Sequence, residues 1–551
     1  MLGSMQDWGL TLDKILDHAK TNYPQERVVS RSVEGPLVSE TYADMWDRAK
    51  QVSHALWQSG IAQGDRVATL AWNTARHMEV WYGAQCMGAV LHTVNPRLFP
   101  EQIAWICNHA EDKIMFLDLT FVPIMEKIAS QIPTLKTYVI LTDAANMPQT
   151  SLPNAQPYEE FIAGRPLEIP WGQFDENTAA GLCYTSGTTG DPKGVLYSHR
   201  SNVLHALAAN QADCFGIRAE DTVMPVVPMF HANAWAIAFV APMAGAKLVN
   251  PGAKLDGESV FELLESEGVT FTAAVPTVWL GLLQFMQANN KKLSTLKRVA
   301  IGGSAVPEKV LRAFEVDYGV DVIHAWGMTE MSPIGTLGAL LPKHKKEHID
   351  ERMRLKLKQG RALFTVEMKI VDDENKEIAR DGKAFGRLVV KGPAVAKAYF
   401  KNAGARRADG TVLEEDGFFD TGDVATICPD GYMQITDRAK DVIKSGGEWI
   451  SSIDIENIAL GAPGVANAAV IGVAHPKWDE RPLLILEPKP GETPAKESAL
   501  AHLEGKIAKW WMPDDVVVIE KIPLGATGKI NKLALREMFR EYVLPSAQAA
   551  E

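Results

Sequence analysis

The sequence predicts an α/β protein carrying an antiparallel β subdomain and followed by a smaller α+β unit. Three observations carry this prediction. The chain has 551 residues, well past the roughly 250–300 at which a single hydrophobic core stops growing. As far as about Phe364, short apolar or β-branched runs alternate with helix-forming stretches, the pattern of parallel sheets joined by crossover helices. Beyond it, short alternating runs are separated by Asp-Gly pairs, which signal antiparallel hairpins.

In order, the strands expected of the α/β part lie at 113–119, 138–142, 222–230, 271–276, 299–303 and 321–327. Each ends near Gly, Pro or Asn. Helices at 42–60 and 101–110 carry apolar residues at three-to-four spacing. The antiparallel runs are 365–371, 386–392 and 432–436, with turns at Asp381-Gly382, Asp416-Gly417 and Asp430-Gly431. From Asp441 onward, strands at 468–473, 483–486 and 516–519 alternate with helices at 452–460 and 495–510. That last unit has a normal domain size.

Net charge is 56 − 68 = −12, so no basic face awaits a phosphate backbone, and nucleic acid is not an expected partner. Residues 1–10 lack a basic start and an apolar run, so no signal peptide is expected. The longest mostly apolar stretch, 234–249, is interrupted by Pro242, Gly245 and Lys247 and is too short to cross a bilayer. The cysteines Cys86, Cys107, Cys183, Cys214 and Cys428 are scattered, which predicts reduced thiols in a cytoplasmic protein rather than a zinc cage or disulfide framework.

The most informative segment is 184–194, Tyr-Thr-Ser-Gly-Thr-Thr-Gly-Asp-Pro-Lys-Gly. Ser186, Thr188 and Thr189 offer hydroxyls among glycines that let backbone N–H groups approach a ligand, and Lys193 adds a cation. These are the parts that hold a polyphosphate. The P-loop pattern G-x-x-x-x-G-K-[ST] is absent, since Gly528-Lys529 is followed by Ile530.

With this loop the chain resembles the adenylate-forming superfamily of acyl-CoA synthetases, peptide-synthetase adenylation domains and luciferases. The resemblance runs from Thr41-Tyr42 and Gly64-Asp65-Arg66-Val67 to Gly528-Lys529. It implies a large N-terminal adenylation domain of stacked α/β sheets over residues 1–439, with the antiparallel subdomain at about 365–439. A mobile C-terminal domain, 440–551, would be hinged to it at Lys440. It also implies ATP, Mg2+ and coenzyme A, and a homodimer by analogy.

The same resemblance assigns residues. Thr185, Ser186, Gly187, Thr188, Thr189, Gly190 and Lys193 would hold the phosphates. Gly302, Gly303, Ser304 and Ala305 look like the adenine-binding segment. In Trp326-Gly327-Met328-Thr329-Glu330, Thr329 would touch phosphate, Glu330 with Thr185 would bind Mg2+, and Trp326 would offer a flat face to adenine or the acyl group. Asp423, closing Asp420-Thr-Gly-Asp, and Arg438 are implied ribose contacts. Lys444, Gly446, Gly447, Glu448 and Trp449 would line the pantetheine path. Lys529 would bridge the substrate carboxylate and the α-phosphate. His231, Trp235, Gly302, Gly303, Trp326, Met331 and Pro333 would border the acyl pocket, with His231 gating it or contacting the thioester.

The bulky walls favour a short acid, and indole and methionine suit a thioether. The wording around 91–105, Leu-His-Thr-Val-Asn-Pro-Arg, resembles the fatty-acyl-CoA ligase branch that includes 3-methylmercaptopropionate-CoA ligases of dimethylsulfoniopropionate degradation. The expected reaction is therefore acyl-AMP formation from 3-(methylthio)propionate and transfer to coenzyme A, with a short- or medium-chain fatty acid as the alternative substrate. Two other classes stay open at this point. One is a CoA-dependent acyltransferase, because His475-Pro-Lys-Trp-Asp479 fits H-x-x-x-D; the other is an inactive nucleotide-binding protein.

Overall fold

A computed structural model describes the chain except for residues 2, 186–190, 439–440, 446–447, 526–528 and 549–551. Two stacked sheets form its larger part. The seven-stranded sheet runs in the order Ala155–Pro157, Thr137–Ile140, Ile114–Leu117, Arg66–Leu70, Val90–Thr93, Ala179–Tyr184, Gly194–Ser198. All neighbours are parallel except the last pair. The nine-stranded sheet has a parallel centre, Arg27–Arg31, Lys247–Asn250, Thr222–Pro225, Phe271–Ala274, Arg298–Gly302 and Asp321–Gly327. Antiparallel strands flank it: Leu37–Thr41 at one edge, Ile334–Leu337 and Arg361–Ala362 at the other.

One hydrophobic cluster joins the facing sides of both sheets. It contains Val67, Leu91, Phe116 and Val139 from the first and Val223, Leu248, Ala273 and Ile323 from the second. Helices Tyr42–Gln58, Ala75–Cys86, His199–Ala209 and Ile237–Ala244 fill the space between. Helix Ala75–Cys86 is buried on every side except at Arg76, as expected for a helix enclosed between layers. Its one acid, Glu79, is neutralised by Arg48 at 2.8 Å and accepts from the Tyr158 hydroxyl at 2.5 Å. Helix Tyr42–Gln58 starts on a capping box between Thr41 and Asp44.

An antiparallel four-stranded sheet follows: Glu367–Val371, Phe385–Lys391, Phe419–Ile427 and Met433–Arg438. Beyond it lies a five-stranded sheet built on the long hairpin Val465–His475 and Asp479–Pro488. Helices Ser452–Ala459 and Lys496–Leu503 cover one face, and helix Lys532–Met538 covers the other.

Several sequence expectations need correction. The strand expected at 222–230 stops at Pro225, where the chain leaves its place between Lys247–Asn250 and Phe271–Ala274 and turns into a loop. The helix expected at 495–510 ends at Leu503, where Gly505 takes a φ of 71°. The three Asp-Gly pairs, by contrast, each lie where expected, in a connection between antiparallel neighbours of the four-stranded sheet. His475 and Asp479 are the facing ends of the long hairpin, with Asp479 at a φ of 64° and the His475 ring accepting from the Lys477 amide. The H-x-x-x-D pattern is thus a tight turn, and the acyltransferase reading loses its only support.

At Gly83 the helices Tyr42–Gln58 and Ala75–Cys86 touch: an added Cβ would lie 2.7 Å from Val52 and 2.8 Å from the Ala49 carbonyl. Gly-to-Ala normally gains about 1 kcal/mol inside a helix, but overpacking costs about 1–3 kcal/mol. We expect Gly83→Ala to lower the urea midpoint of unfolding; a raised midpoint would show that the two helices can separate freely.

Candidate active site

Several of the predicted residues stand where strands of the two large sheets end. Tyr184 closes the strand Ala179–Tyr184, Gly302 closes Arg298–Gly302, and Gly327 closes Asp321–Gly327. Carboxyl ends of parallel strands are the usual ligand position in open α/β sheets.

Two described residues close the base of the loop 186–190, itself outside the described residues. The Thr185 amide donates to the Lys193 carbonyl at 2.9 Å, and the Lys193 amide donates to Thr185 Oγ1 at 3.2 Å. The exposed Lys193 ammonium lies 5.0 Å from the centre of the Tyr399 ring. The Tyr399 hydroxyl in turn donates to Glu330 Oε1 at 2.6 Å. Glu330 is buried, and that burial pushes its carboxyl pKa up, with Tyr399 pulling the other way. Tyr197 donates to the Thr329 carbonyl at 2.7 Å, fixing the turn that carries both residues. Sequence reasoning missed Tyr399 and Tyr197: each acts across a long sequence separation, and neither stands in a recognisable local pattern.

Asp423 is almost fully buried and shared by two partners. Its Oδ2 accepts from the Trp326 indole at 2.9 Å, and its Oδ1 pairs with Arg438 at 2.8 Å. Trp326 therefore does more than offer a flat face, because its N–H orients the carboxylate. With Met331 it packs into the cluster holding Met368, Leu388 and Phe419, so both rings and thioethers also anchor the antiparallel sheet.

The wall next to this is Trp235, whose indole meets the glycine pair. An added Cβ would lie 3.2 Å from Trp235 at Gly302 and 3.9 Å from it at Gly303. Gly303 and Ser304 are open to solvent and Ala305 is half-buried. Trp235 sits in an unusual backbone: residues 232–236 all have φ between 45° and 68°, with no glycine among them. Such geometry costs roughly 1–2 kcal/mol per residue and persists only because surrounding packing over-determines it. All of these residues are buried, Ala232 donates to Cys183 Sγ, and Asn233 donates to Asn202. Pro333 is buried, and its carbonyl accepts from the Met328 amide at 2.9 Å.

Lys529 is exposed overall, yet protein crowds its ammonium. That burial and the nearby Arg438 push its pKa down to about 8, against the pull of Asp423 and Glu330. His231 feels Lys529 in return: burial first, then Lys529 and Arg97, take it down to about 4, so the ring is neutral near pH 7. Lys529, Glu330, Asp423, Arg438 and His231 therefore share one electrostatic environment. Lys444 lies elsewhere, on the strand Ile443–Ser445 paired in register with Trp449 and Glu448; its amide donates to Glu480. Gly446, Gly447 and Lys440 lie outside the described residues.

Residues 16–400 match the AMP-binding enzyme family, and residues 454–529 match the AMP-binding enzyme C-terminal domain. A 3-methylmercaptopropionyl-CoA ligase of Ruegeria lacuscaerulensis is 47% identical over 541 residues, 98% of this chain and 99% of that protein. A medium-chain-fatty-acid–CoA ligase of Ectopseudomonas oleovorans is 44% identical over 549 residues, 100% of both chains. The solved anthranilate CoA ligase bound to anthranoyl-AMP has the same fold, with a TM-score of 0.82, 24% identity, and 96% and 97% of the two chains covered.

An added Cβ at Gly327 would fall 2.0 Å from the Pro333 carbonyl, so alanine there must displace the turn bearing Thr329 and Glu330. We expect Gly327→Ala to fold with unchanged circular dichroism but to bind ATP at least about tenfold more weakly by calorimetry, since small misplacements at a site are expensive. Unchanged affinity would show that this turn does not position the nucleotide.

Proposed function

We propose a function on the premise that this chain belongs to the AMP-binding enzyme family: it is an AMP-forming acyl-CoA ligase whose acid is 3-(methylthio)propionate. The observation that carries the reaction is the convergence of Lys529, Glu330, Asp423 and Arg438 beside the base of the phosphate loop. In our reading Asp423 and Arg438 hold the ribose, and Thr185, Lys193, Thr329 and the loop 186–190 hold the phosphates. The backbone of Gly303, Ser304 and Ala305 meets adenine.

Glu330 and Thr185 fit Mg2+. They are hard oxygen donors, and the Glu330 carboxylate is buried and held by the Tyr399 hydroxyl. This suits an ion held by one or two protein oxygens together with substrate phosphates. When bound, the ion neutralises polyphosphate charge. The protein's own part is positioning and screening. Lys529 lies between two anions, the acid carboxylate and the α-phosphate; the carboxylate attacks the α-phosphorus and pyrophosphate leaves with the P–O bond electrons. The coenzyme A thiol then loses its proton and attacks the acyl carbonyl, displacing AMP. In our reading residues 440–551 pivot at Lys440 between the two steps, and Lys444, Gly446, Gly447, Glu448 and Trp449 line the thiol path.

Two observations favour the thioether acid over a plain fatty acid: the identity to the 3-methylmercaptopropionyl-CoA ligase is 47% against 44% to the medium-chain-fatty-acid ligase, and the indole of Trp235 lies against Gly302 and Gly303, since sulfur–aromatic contacts are favourable. Neutral His231 borders the same pocket. We also take the protein to act in the cytoplasm as a homodimer, a reading that rests on the family resemblance. No helix among the described residues is long and apolar enough to cross a membrane.

The deciding assay is coenzyme A thioester formation from propionate, butyrate, hexanoate, 3-(methylthio)propionate and benzoate, with pyrophosphate exchange as the first-step readout. We expect the thioether acid to have the highest kcat/KM; a higher value for hexanoate would move the assignment to a fatty acid.

The sign of the pH dependence follows from Lys529. Its ammonium is charged below about 8 and neutral above it, and screening needs the charge. Adenylation kcat/KM, which reports the free enzyme, is expected to fall as pH rises through about 8. Lys529→Arg should remove that fall while lowering the rate. A profile that is flat through pH 9 in the unaltered enzyme would contradict the assigned role of Lys529.

A further inference from the structure

We propose that Asp437, Ser452 and Lys532 form a latch that holds the C-terminal unit in the orientation presenting Lys529, which makes Lys532 a positioning residue for the first half-reaction. The proposal rests on the two-step reading above. It starts from a buried polar chain that this chemistry does not otherwise use.

Asp437 sits on the strand Met433–Arg438, just before the assigned pivot. Its Oδ2 accepts from the Ser452 amide at 3.0 Å and from the Ser452 hydroxyl at 2.5 Å. That hydroxyl also accepts from the Lys532 ammonium. Lys532 pairs with Glu456 at 2.9 Å, and Glu456 accepts from the Val470 amide at 2.8 Å. Asp437, Ser452 and Glu456 are all buried, and the Lys532 side chain is nearly so. Burial alone would lower the Lys532 pKa, but Glu456 and Asp437 more than reverse this, so the lysine stays charged. Ser451 adds a second bond across the same seam, from its hydroxyl to the Thr436 carbonyl at 2.5 Å.

The seam has a definite geometry with respect to the pivot. Asp437 precedes Lys440, whereas Ser452, Glu456 and Lys532 follow it. A rotation at Lys440 carries Ser452, Glu456 and Lys532 together and keeps their mutual bonds, leaving only the bonds to Asp437 to break. Lys532 thus keeps a buried counter-ion in either orientation, and the latch can open without stranding a charge. The same lysine begins helix Lys532–Met538, directly after the short hairpin that carries Lys529, which is closed by the Gly525 amide on the Lys529 carbonyl and the Asn531 amide on the Pro523 carbonyl. At the other end Asp437 adjoins Arg438, which holds Asp423. Latched, the chain of contacts runs from the Lys529 hairpin to the ribose carboxylate.

A latch that favours one of two orientations shifts their populations, and each half-reaction follows the population it needs. The test measures both halves on purified Asp437→Asn, Lys532→Met and the double variant. We expect pyrophosphate exchange to fall about tenfold, thioester formation from supplied acyl-AMP to hold or rise, and the double variant to lose no more than the worse single one. Lys532→Arg should recover part of the exchange rate. Equal losses in both half-reactions, or unchanged exchange in Asp437→Asn, would overturn the latch, and Asp437→Asn decides alone if Lys532→Met does not fold. Lys529→Ala is the control. If it loses exchange but keeps thioester formation, the two-step reading stands and a failure belongs to the latch. If it retains exchange, the function and the latch fall together.

Discussion

The site depends on one buried carboxylate. Asp423 belongs to the antiparallel sheet, its indole partner Trp326 to the nine-stranded sheet, and its guanidinium partner Arg438 to the last strand before residues 440–551. A carboxylate this deeply enclosed is expensive unless both oxygens are matched, and here each oxygen has its own donor. Satisfying it requires the two sheets to meet in one register. That register also brings Tyr399 to Glu330 and Lys193 to Tyr399, so the placements of Asp423, Glu330 and Lys193 are set by shared packing rather than separately.

Electrostatics divide the labour within that frame. Burial and Arg438 push the Lys529 pKa down while the acids Asp423 and Glu330 pull it up, leaving it at about 8. Two incoming anions would shift this balance toward the charged form. His231, close to the same lysine, is held neutral by burial and by cations, which suits a wall better than a charge carrier.

How much of this was legible in the sequence varies with the range of the interaction. The parallel strands at 299–303 and 321–327 were readable to within a residue, because each is a compact apolar run ending in glycine. Thr185, Lys193, Glu330 and Asp423 could be singled out because glycine, hydroxyl and charge sit together in short segments around them. Tyr399 was not, since its role depends on a contact with a carboxylate 69 positions away. The end of the strand at Pro225 and the helix stop at Leu503 were also missed, because local propensity continues past the point where the tertiary path turns. The backbone of 232–236 was least readable of all, for nothing in Ala-Asn-Ala-Trp-Ala announces left-handed geometry.

That left-handed stretch limits how the wall at Trp235 can drift over generations. Branching at Cβ is least compatible with such φ values, so valine, isoleucine and threonine are the substitutions it tolerates worst, whereas glycine would relax the strain and loosen the indole's mount. The three alanines there are a compromise, small enough for the backbone yet rigid enough to aim Trp235 at Gly302 and Gly303. Under the proposed function, new acid preferences are therefore reached more readily by changing the ring at 235 or the residues facing it than by remodelling its support. The pocket can change its lining while the frame behind it stays the same.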